Sequence, residues 1–229
     1  MNQIILFHGS ERIIKKPVMG KGNRRNDYGP GFYLTKYEEM AKEWACGRDR
    51  DGYANRYMLE LEDLSVLYMT RGTYHILNWL AVLLENRTFR ISSDLMEDGR
   101  RYLLDHFMIP YKTYDVIVGW RADDSYFSFA NAFLNNAISL QQLSVAMRLG
   151  DLGEQYVLKS AAAFERISFR EAVPANKEIY YPKAHGRDLA AREAFRRIRS
   201  NRRDGVYLMD LLRGDWENDD ERLQRIVLG

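Results

Sequence analysis

Three short segments, far apart along the chain, carry residue types that could bind a ligand and act on it. They read FHGS at 7–10, DYGPGFYLTKYEEMAKEWA at 27–45 and EQYVLKS at 154–160. The first offers an imidazole beside Gly-Ser, the second offers aromatic rings, and the third offers carboxylate and amide oxygens that accept hydrogen bonds. Each segment is a weak signal alone, but together and in this order they indicate one ligand-binding site.

The elements that position these segments are predicted from the spacing of apolar residues and of turn-forming Gly, Pro, Asn and Ser. Short apolar runs bounded by turn residues predict strands at 4–7, 31–35, 57–61, 115–119, 155–159 and 166–169. Amphipathic stretches predict helices at 36–46, 74–85, 93–107, 125–136 and 139–149. We expect Thr35 and Ser139 to cap the helices that follow them, and the last two strands to pair with each other.

Short scattered strands with helices inserted between them exclude a regular βαβ alternation and predict an α+β fold. We place one domain at 1–175 and an arginine-rich helical extension, packed on it, at 176–229. Between 187 and 203 the extension has seven arginines against two acids, and we expect Leu189, Phe195 and Ile198 to pack inward. The arginines could form a solvated helix face or contact phosphates or an acidic partner.

The composition narrows the class of protein. A net charge of +2 argues neither for nor against a nucleic-acid partner. Cys46 is the single cysteine, which excludes an internal disulfide framework and favours a cytoplasmic location. The apolar run at the start is too short for a signal peptide, and no stretch approaches the roughly 20 apolar residues that cross a bilayer, so we expect no membrane contact. His75, His106 and His185 lack metal-ligand spacing, and no metal is expected.

In its three segments the chain resembles the ADP-ribosyltransferase superfamily, in the diphtheria-toxin and poly(ADP-ribose) polymerase branch, and there an uncharacterised bacterial family with that fold. The likeness lies in a His-Gly-Ser that ends one strand, a Gly-x-Gly-x-Tyr that opens the next, and a Tyr-containing strand that completes the site. It spans nearly the whole predicted domain. It implies an ADP-ribosyltransferase-like split β-sheet core with inserted helices and a helical C-terminal tail, and NAD as the substrate.

The resemblance implies roles for the residues of the first segment. Gly9 would offer its backbone N–H and C=O to the carboxamide of nicotinamide, where a side chain would obstruct the approach. Ser10 would add its hydroxyl to the same carboxamide. His8 would hydrogen-bond the adenosine ribose.

The resemblance also implies an aromatic slot built by the second segment. Tyr33 and Trp44 would enclose the cationic nicotinamide ring, and cation–π attraction to such a ring is worth roughly 0.5–2 kcal/mol. Gly29 and Gly31 flank Pro30 and would permit the tight turn into the strand that carries Tyr33.

The third segment departs from the enzyme pattern of the family. Gln155 stands where the resemblance places the catalytic glutamate, and it can accept a hydrogen bond from the ribose but brings no negative charge. The adjacent Glu154 should face the other side of the strand, unless a bulge at the start of the strand turns it into the site. Gly153 occupies the position of a second same-face acid, so an arginine acceptor is not supported.

A polar cluster follows the predicted strand 115–119. Arg121, Asp123 and Asp124 stand directly after it. They could border the site or be solvated loop charges.

We expect an NAD-dependent mono-ADP-ribosyltransferase that modifies an unknown protein or nucleic-acid acceptor and releases nicotinamide. His8, Tyr33 and Gln155, or Glu154 in place of Gln155, would carry the reaction. Two alternatives remain: a non-catalytic module that binds NAD or ADP-ribose, and an interaction protein whose arginine-rich tail binds a partner. Bacterial relatives of this fold often serve as toxins, which implies delivery into a target cell's cytosol and an antitoxin that could contact the tail.

Overall fold

The computed structural model describes residues 3–71, 74–122, 124–149, 153–201 and 204–223, and in this part of the chain it shows an α+β fold. One mixed sheet has the strand order β4-β5-β6-β2-β1-β3-β7. The strands are β1 (Gln3–Ser10), β2 (Phe32–Thr35), β3 (Gly52–Glu60), β4 (Val66–Tyr68), β5 (Val116–Trp120), β6 (Glu154–Leu158) and β7 (Ile167–Ala175). Among the strands of the described residues, only β4 and β5 are parallel neighbours. The predicted α+β class is confirmed, and the strands of the three candidate segments lie side by side as β6, β2 and β1.

The helices form where the sequence supplies an apolar face and, in several cases, a capping side chain. They are α1 (Glu38–Ala45), α2 (Ile76–Asn86), α3 (Asp94–Phe107), α4 (Asp124–Leu134), α5 (Leu140–Ala146), α6 (Ala161–Glu165), α7 (Lys177–Ser200) and α8 (Leu208–Gly214). The hydroxyls of Ser93 and Ser139 accept backbone N–H groups in the first turns of α3 and α5. Across the described ranges, none of these helices is both long and apolar enough to cross a bilayer.

The two halves of the sheet meet at a single residue pair between β1 and β2. Phe7 lies opposite Thr35, whereas β1 pairs with β3 along its whole length and β2 with β6 along its own. Beyond Phe7, the Nδ1 atom of His8 lies 2.7 Å from the backbone oxygen of Tyr33 and takes the place of a further strand–strand hydrogen bond. The sheet therefore parts at His8.

Helix α1 can lie directly on β1 because residue 9 is a glycine. A Cβ atom at Gly9 would lie 2.0 Å from the backbone oxygen of Ala41 and 2.9 Å from the Cβ of Trp44. The resemblance explained this glycine by the approach of a ligand, and the structure adds a second reason, the approach of α1. This contact brings Trp44 to the parted region of the sheet.

Two hydrophobic clusters cover the two faces of the sheet, and residues beyond 175 belong to the larger one. Val157 of β6 packs in the larger cluster, while its neighbours Tyr156 and Leu158 pack in the smaller one. Phe195 of α7 packs on Phe129 of α4 with ring centroids 4.1 Å apart. The helical extension thus shares the core of the rest of the chain.

Two predictions about the strands need correction. β6 and β7 do not pair: β6 lies between β2 and β5, and β7 pairs with β3. Strand β4 was not predicted at all. Both errors have one cause, because the neighbours of a short strand are set by packing across the whole sheet rather than by its own residues.

Two predictions about helix residues are also wrong. Thr35 belongs to β2, and Tyr37 stands at the N-cap of α1. Leu189 is 53% exposed on α7, where Ala191 is buried, and Phe195 is buried as expected. Ile198 packs inward against the larger cluster as expected. Other inward contacts of α7 come from Arg187, Ala191 and Phe195, which lie four residues apart on one face of the helix. Leu189 falls between them on the other face and stays in solvent.

Substitution of Gly9 tests the contact between α1 and β1. Gly9→Ala should lower the free energy of unfolding by about 1–3 kcal/mol or more, because the new methyl group overlaps the backbone of α1. The matched control is Gly186→Ala in exposed α7, where a Cβ meets no atom within 4 Å. It should raise the same quantity by about 0.5–1 kcal/mol. Urea denaturation measures both, and equal effects would contradict the close approach.

Candidate functional site

A cleft of about 500 Å³ lies where the sheet parts. It collects side chains from β1, β2, α1 and β6, and from α7 in the helical extension. Its walls are formed by His8, Gly9, Asn26, Asp27, Tyr33, Trp44, Arg87, Arg121, Ala122, Gln155, Asp188 and Arg192. The structure thus brings together five of the candidate residues from all three sequence segments.

His8 lies where β1 and β2 part, and we take its imidazole as neutral because its pKa is lowered from the ordinary value of 6.5. Because a carbonyl oxygen only accepts hydrogen bonds, the Nδ1 atom that contacts the Tyr33 oxygen must carry the hydrogen. The Nε2 atom is then an acceptor for a ligand hydroxyl. The ring also packs on Phe32 with centroids 4.4 Å apart. Burial lowers the pKa of His8, and the hydrogen bond to the Tyr33 carbonyl opposes that shift.

Tyr33 presents its ring to the cleft and uses its hydroxyl to fix the preceding turn. The hydroxyl donates to the Gly29 oxygen at 2.6 Å and accepts the Tyr28 N–H at 3.1 Å. Burial, and next the charge of Asp27, raise the pKa of this hydroxyl well above its ordinary value. The ammonium of Lys159 holds the same turn by donating to the backbone oxygen of Tyr28 at 2.6 Å.

Trp44 also lines the cleft, and the guanidinium of Arg121 covers its ring at 3.7 Å from the centroid. A planar cation therefore already stacks on this indole. The indole N–H of Trp44 is buried and has no hydrogen-bond partner among the described residues. A ligand acceptor at that point would remove the cost of an unsatisfied donor, which is about 1–3 kcal/mol.

Gln155 is buried at the cleft wall and bonded to an acid that sequence reasoning had not assigned. Its Nε2 atom donates to the Oδ2 atom of Asp27 at 2.9 Å and to the Trp120 oxygen at 3.1 Å. The same Asp27 oxygen accepts the Ala122 N–H at 2.9 Å, and the Arg87 Nε lies 3.4 Å from the other carboxylate oxygen. Burial raises the pKa of Asp27, and these donors and cations oppose the shift.

Glu154, Ser10 and Gly31 do not line this cleft. Glu154 lines a second cavity of about 320 Å³ and its carboxylate accepts the Thr70 hydroxyl, as the alternation along β6 requires. The Ser10 hydroxyl donates to the Arg12 oxygen at 2.6 Å and is turned away from the cleft. Gly31 permits the close approach of β2 to β6, because a Cβ there would lie 2.6 Å from a Val157 methyl group.

A basic groove of about 490 Å³ adjoins the cleft. His8, Asn26 and Tyr33 line both. The rest of its wall combines cations with apolar side chains, including Arg12, Ile13, Ile14, Lys15, Lys16, Pro17, Val18 and Lys21. Because they share these residues, we treat the cleft and the groove as one binding region. Its aromatic end is the part lined by Tyr33 and Trp44, and its basic end is the part lined by Lys15, Lys16 and Lys21.

Sequence reasoning missed four charged residues of the cleft, for different reasons. Asp27 begins the second segment, but nothing in the sequence shows that it becomes buried against Gln155. Arg87 follows α2 and reaches the cleft only through the fold. Asp188 and Arg192 carried a signal, since acid and base four residues apart on a helix share one face, and their side chains lie 2.7 Å apart.

The structure describes only part of the polar cluster, Arg121, Asp123 and Asp124, that follows β5. Arg121 borders both cavities. Asp123 lies outside the described residues, and the side chain of Asp124 is not described. Elsewhere in the described chain, His106 meets the carboxylates of Asp215 and Glu217, a group of possible metal ligands that is half-buried to exposed and does not line the cleft.

A family model matches residues 4–169, which is most of the chain. The chain belongs to the DUF3990 family, described as a protein of unknown function. No curated protein and no solved structure matches it. The matched region of DUF3990 contains all three candidate segments and ends within β7, so Asp188 and Arg192 of α7 come from beyond it.

The lowered pKa of His8 in this DUF3990 chain predicts a pH-dependent stability. An imidazole whose pKa is lower in the folded than in the unfolded protein stabilises the fold fully above the unfolded pKa, near 6.5. That contribution is lost as the pH falls, by up to about 1.4 kcal/mol per pH unit. His8→Gln should therefore show a flatter decline in unfolding free energy from pH 7.5 to 5 than the wild type.

Urea denaturation across this pH range measures the slope. His75, whose pKa burial also lowers, contributes equally to both proteins and cancels in the comparison. The exposed His185 supplies the matched control, His185→Gln. An identical slope in His8→Gln and the wild type would refute the assignment.

Proposed function

We propose that this chain binds NAD and transfers its ADP-ribose to a protein or nucleic-acid acceptor, as a mono-ADP-ribosyltransferase. One observation carries the proposal: His8, Gly9, Tyr33, Trp44 and Gln155, from three distant segments, line a single cleft. The resemblance to ADP-ribosyltransferases selects these five residues for contact with NAD; it also selects Ser10 and Gly31, which do not line the cleft. The volume of the cleft is also within the usual range for a small-molecule site.

The aromatic end of the binding region suits nicotinamide. Tyr33 and Trp44 would offer ring faces, and Gly9 would offer its backbone N–H and C=O, since all three residues line the cleft. The guanidinium of Arg121 now covers the Trp44 ring. A pyridinium that stacks on Trp44 would therefore displace Arg121 and exchange one cation–π contact for another.

The basic end suits the rest of the dinucleotide. Lys15, Lys16 and Lys21 would attract the diphosphate, and the apolar side chains between them offer contact area to adenine. His8 stands between the two ends, where its Nε2 atom can accept a ribose hydroxyl. This matches the ribose contact that the resemblance assigns to it.

The reaction would break the bond between C1′ of the ribose and the nicotinamide nitrogen. The electron pair leaves with nicotinamide, which becomes neutral, and the ribose carries the positive charge. The acceptor nucleophile then bonds to C1′ and releases its proton to solvent. Gln155 would accept a hydrogen bond from the ribose and hold the sugar in place during this step.

Gln155 also favours one alternative, a module that binds NAD or ADP-ribose without cleaving it. The amide brings no formal charge to the ribose, so binding could persist without turnover. Such a module would bind NAD in calorimetry and release no nicotinamide. The same measurements that test the transferase therefore separate the two functions.

The decisive experiment incubates the full chain with labelled NAD, alone and with cell lysate, and measures nicotinamide release and label on protein or nucleic acid. The wild type should release nicotinamide and label an acceptor. Gln155→Ala should reduce release by about 10- to 100-fold, through loss of a transition-state contact. Glu154→Gln, the adjacent change outside the cleft, should stay near the wild type. NAD binding without release by the wild type would refute the enzyme.

Removal of Arg121 tests the aromatic slot. N1-methylnicotinamide carries the cationic ring but no phosphate, so it should compete with Arg121 for the Trp44 face. Arg121→Ala should tighten its binding by about 2- to 30-fold, the equivalent of a cation–π contact of roughly 0.5–2 kcal/mol. Quenching of tryptophan fluorescence measures the Kd, with the exposed Arg148→Ala as the control. Weaker binding to Arg121→Ala would contradict this competition.

A further inference from the structure

Asp27 places a carboxylate directly behind the amide of Gln155. It is 5% exposed, and its Oδ2 atom accepts both the Ala122 N–H and the Gln155 Nε2, each at 2.9 Å. Arg87 lies 3.4 Å from its other oxygen. A buried carboxylate with this set of donors is held in one orientation, since charge-assisted hydrogen bonds are stronger than neutral ones.

The same contacts fix the orientation of the Gln155 amide. Its nitrogen donates to Asp27 and to the Trp120 oxygen. The flipped amide would set its own oxygen against these two acceptors, which is repulsive. The amide oxygen is therefore turned away from Asp27, and among the described residues it accepts no hydrogen bond, while Gln155 itself lines the cleft.

We propose that Asp27 is a positioning residue that aims the oxygen of Gln155 at the ribose of NAD and supplies the negative charge that glutamine lacks. The proposal rests on the proposed function. A hydrogen-bonded carboxylate draws the amide N–H toward itself and leaves more negative charge on the amide oxygen. Its full charge, held in a water-poor site, also stabilises positive charge that develops on the ribose. Asp27 and Gln155 together would then hold the ribose and supply negative charge, the two roles of the single catalytic glutamate that the resemblance to ADP-ribosyltransferases implies.

The ionisation of Asp27 follows from the groups that face it. Arg87 after α2 and Arg121 after β5 favour the carboxylate, while the hydroxyls of Tyr28 and Tyr33 stay neutral beside it. Burial outweighs these cations and raises the pKa of Asp27. Activity should thus fall as the pH is lowered through a pKa above the ordinary aspartate value of about 3.9.

Substitutions that remove the charge of Asp27 with or without its hydrogen-bond acceptor are the sharpest test. Asp27→Asn should lower the rate of nicotinamide release at least tenfold, with a change in KM for NAD of less than about threefold. Gln155→Glu should also lower it, because two carboxylates then stand in contact and repel. Asp27→Ala removes the acceptor of the Gln155 amide as well as the charge, so it should lower the rate further than Asp27→Asn, which keeps an oxygen toward the Ala122 and Gln155 N–H groups.

The controls separate charge from folding. The exposed Asp98→Asn on α3 should behave as the wild type, and thermal unfolding of every variant reports whether it folds. If Asp27 had a structural role only, Asp27→Asn would lose thermal stability but would keep the rate of the wild type and its fall at acid pH. An active wild type whose Asp27→Asn variant keeps its full rate would overturn the proposal and leave the proposed function standing.

A second measurement is made on the wild type itself and does not depend on enzymatic activity. In the wild type, the NMR signals of the Gln155 side-chain amide, identified by their loss in Gln155→Glu or Gln155→Ala, should titrate with Asp27. We expect a midpoint above the ordinary aspartate pKa and a downfield amide proton. A wild type that releases no nicotinamide would refute the function, while an amide signal that does not respond to acid would refute the pairing itself.

Discussion

The parting of the central strands is the constraint on which the rest of the molecule depends. β1 and β2 share only the pair Phe7 and Thr35, and the imidazole of His8 then bridges to the backbone of Tyr33. Without this separation the sheet would be continuous, and its middle would offer no opening. Because the strands diverge, polar groups at their ends become available to a ligand. The pairing of β1 with β3 and of β2 with β6 holds the two strands in place.

The walls of the opening are built by close packing from both sides. On one side α1 rests on Gly9 and carries Trp44 to the rim. On the other side, β2 and β6 pair in a register that sets Thr35 opposite Gln155 and sends the Gln155 side chain into the cleft. Buried polar groups in such a site require partners, and Asp27 supplies one for Gln155. The chemistry of the cleft is therefore linked to the packing that creates it.

The helical extension completes the site rather than standing apart from it. α7 is fixed to α1 by ion pairs, among them Arg187 with the buried Glu43, and its Asp188 and Arg192 reach the cleft. From the sequence, the arginines of the extension could form a solvated helix face or contact a partner. Arg187 and Arg192 instead form ion pairs within the fold. The DUF3990 match stops before this helix, so the cleft combines a family core with a wall contributed by the extension.

The sequence by itself determined the local features: apolar runs that became strands, Ser139 at the start of a helix, and three segments with the chemistry of a site. These depend on a few neighbouring residues, and so they can be read from the chain. Only the tertiary structure decided which strands pair, that Asp27 lies behind Gln155, that Arg121 covers Trp44, and that α7 closes the cleft. Such contacts join residues that are far apart along the chain; Asp27 and Gln155, for example, are separated by 128 residues. They depend on packing of the whole core, which no local pattern encodes.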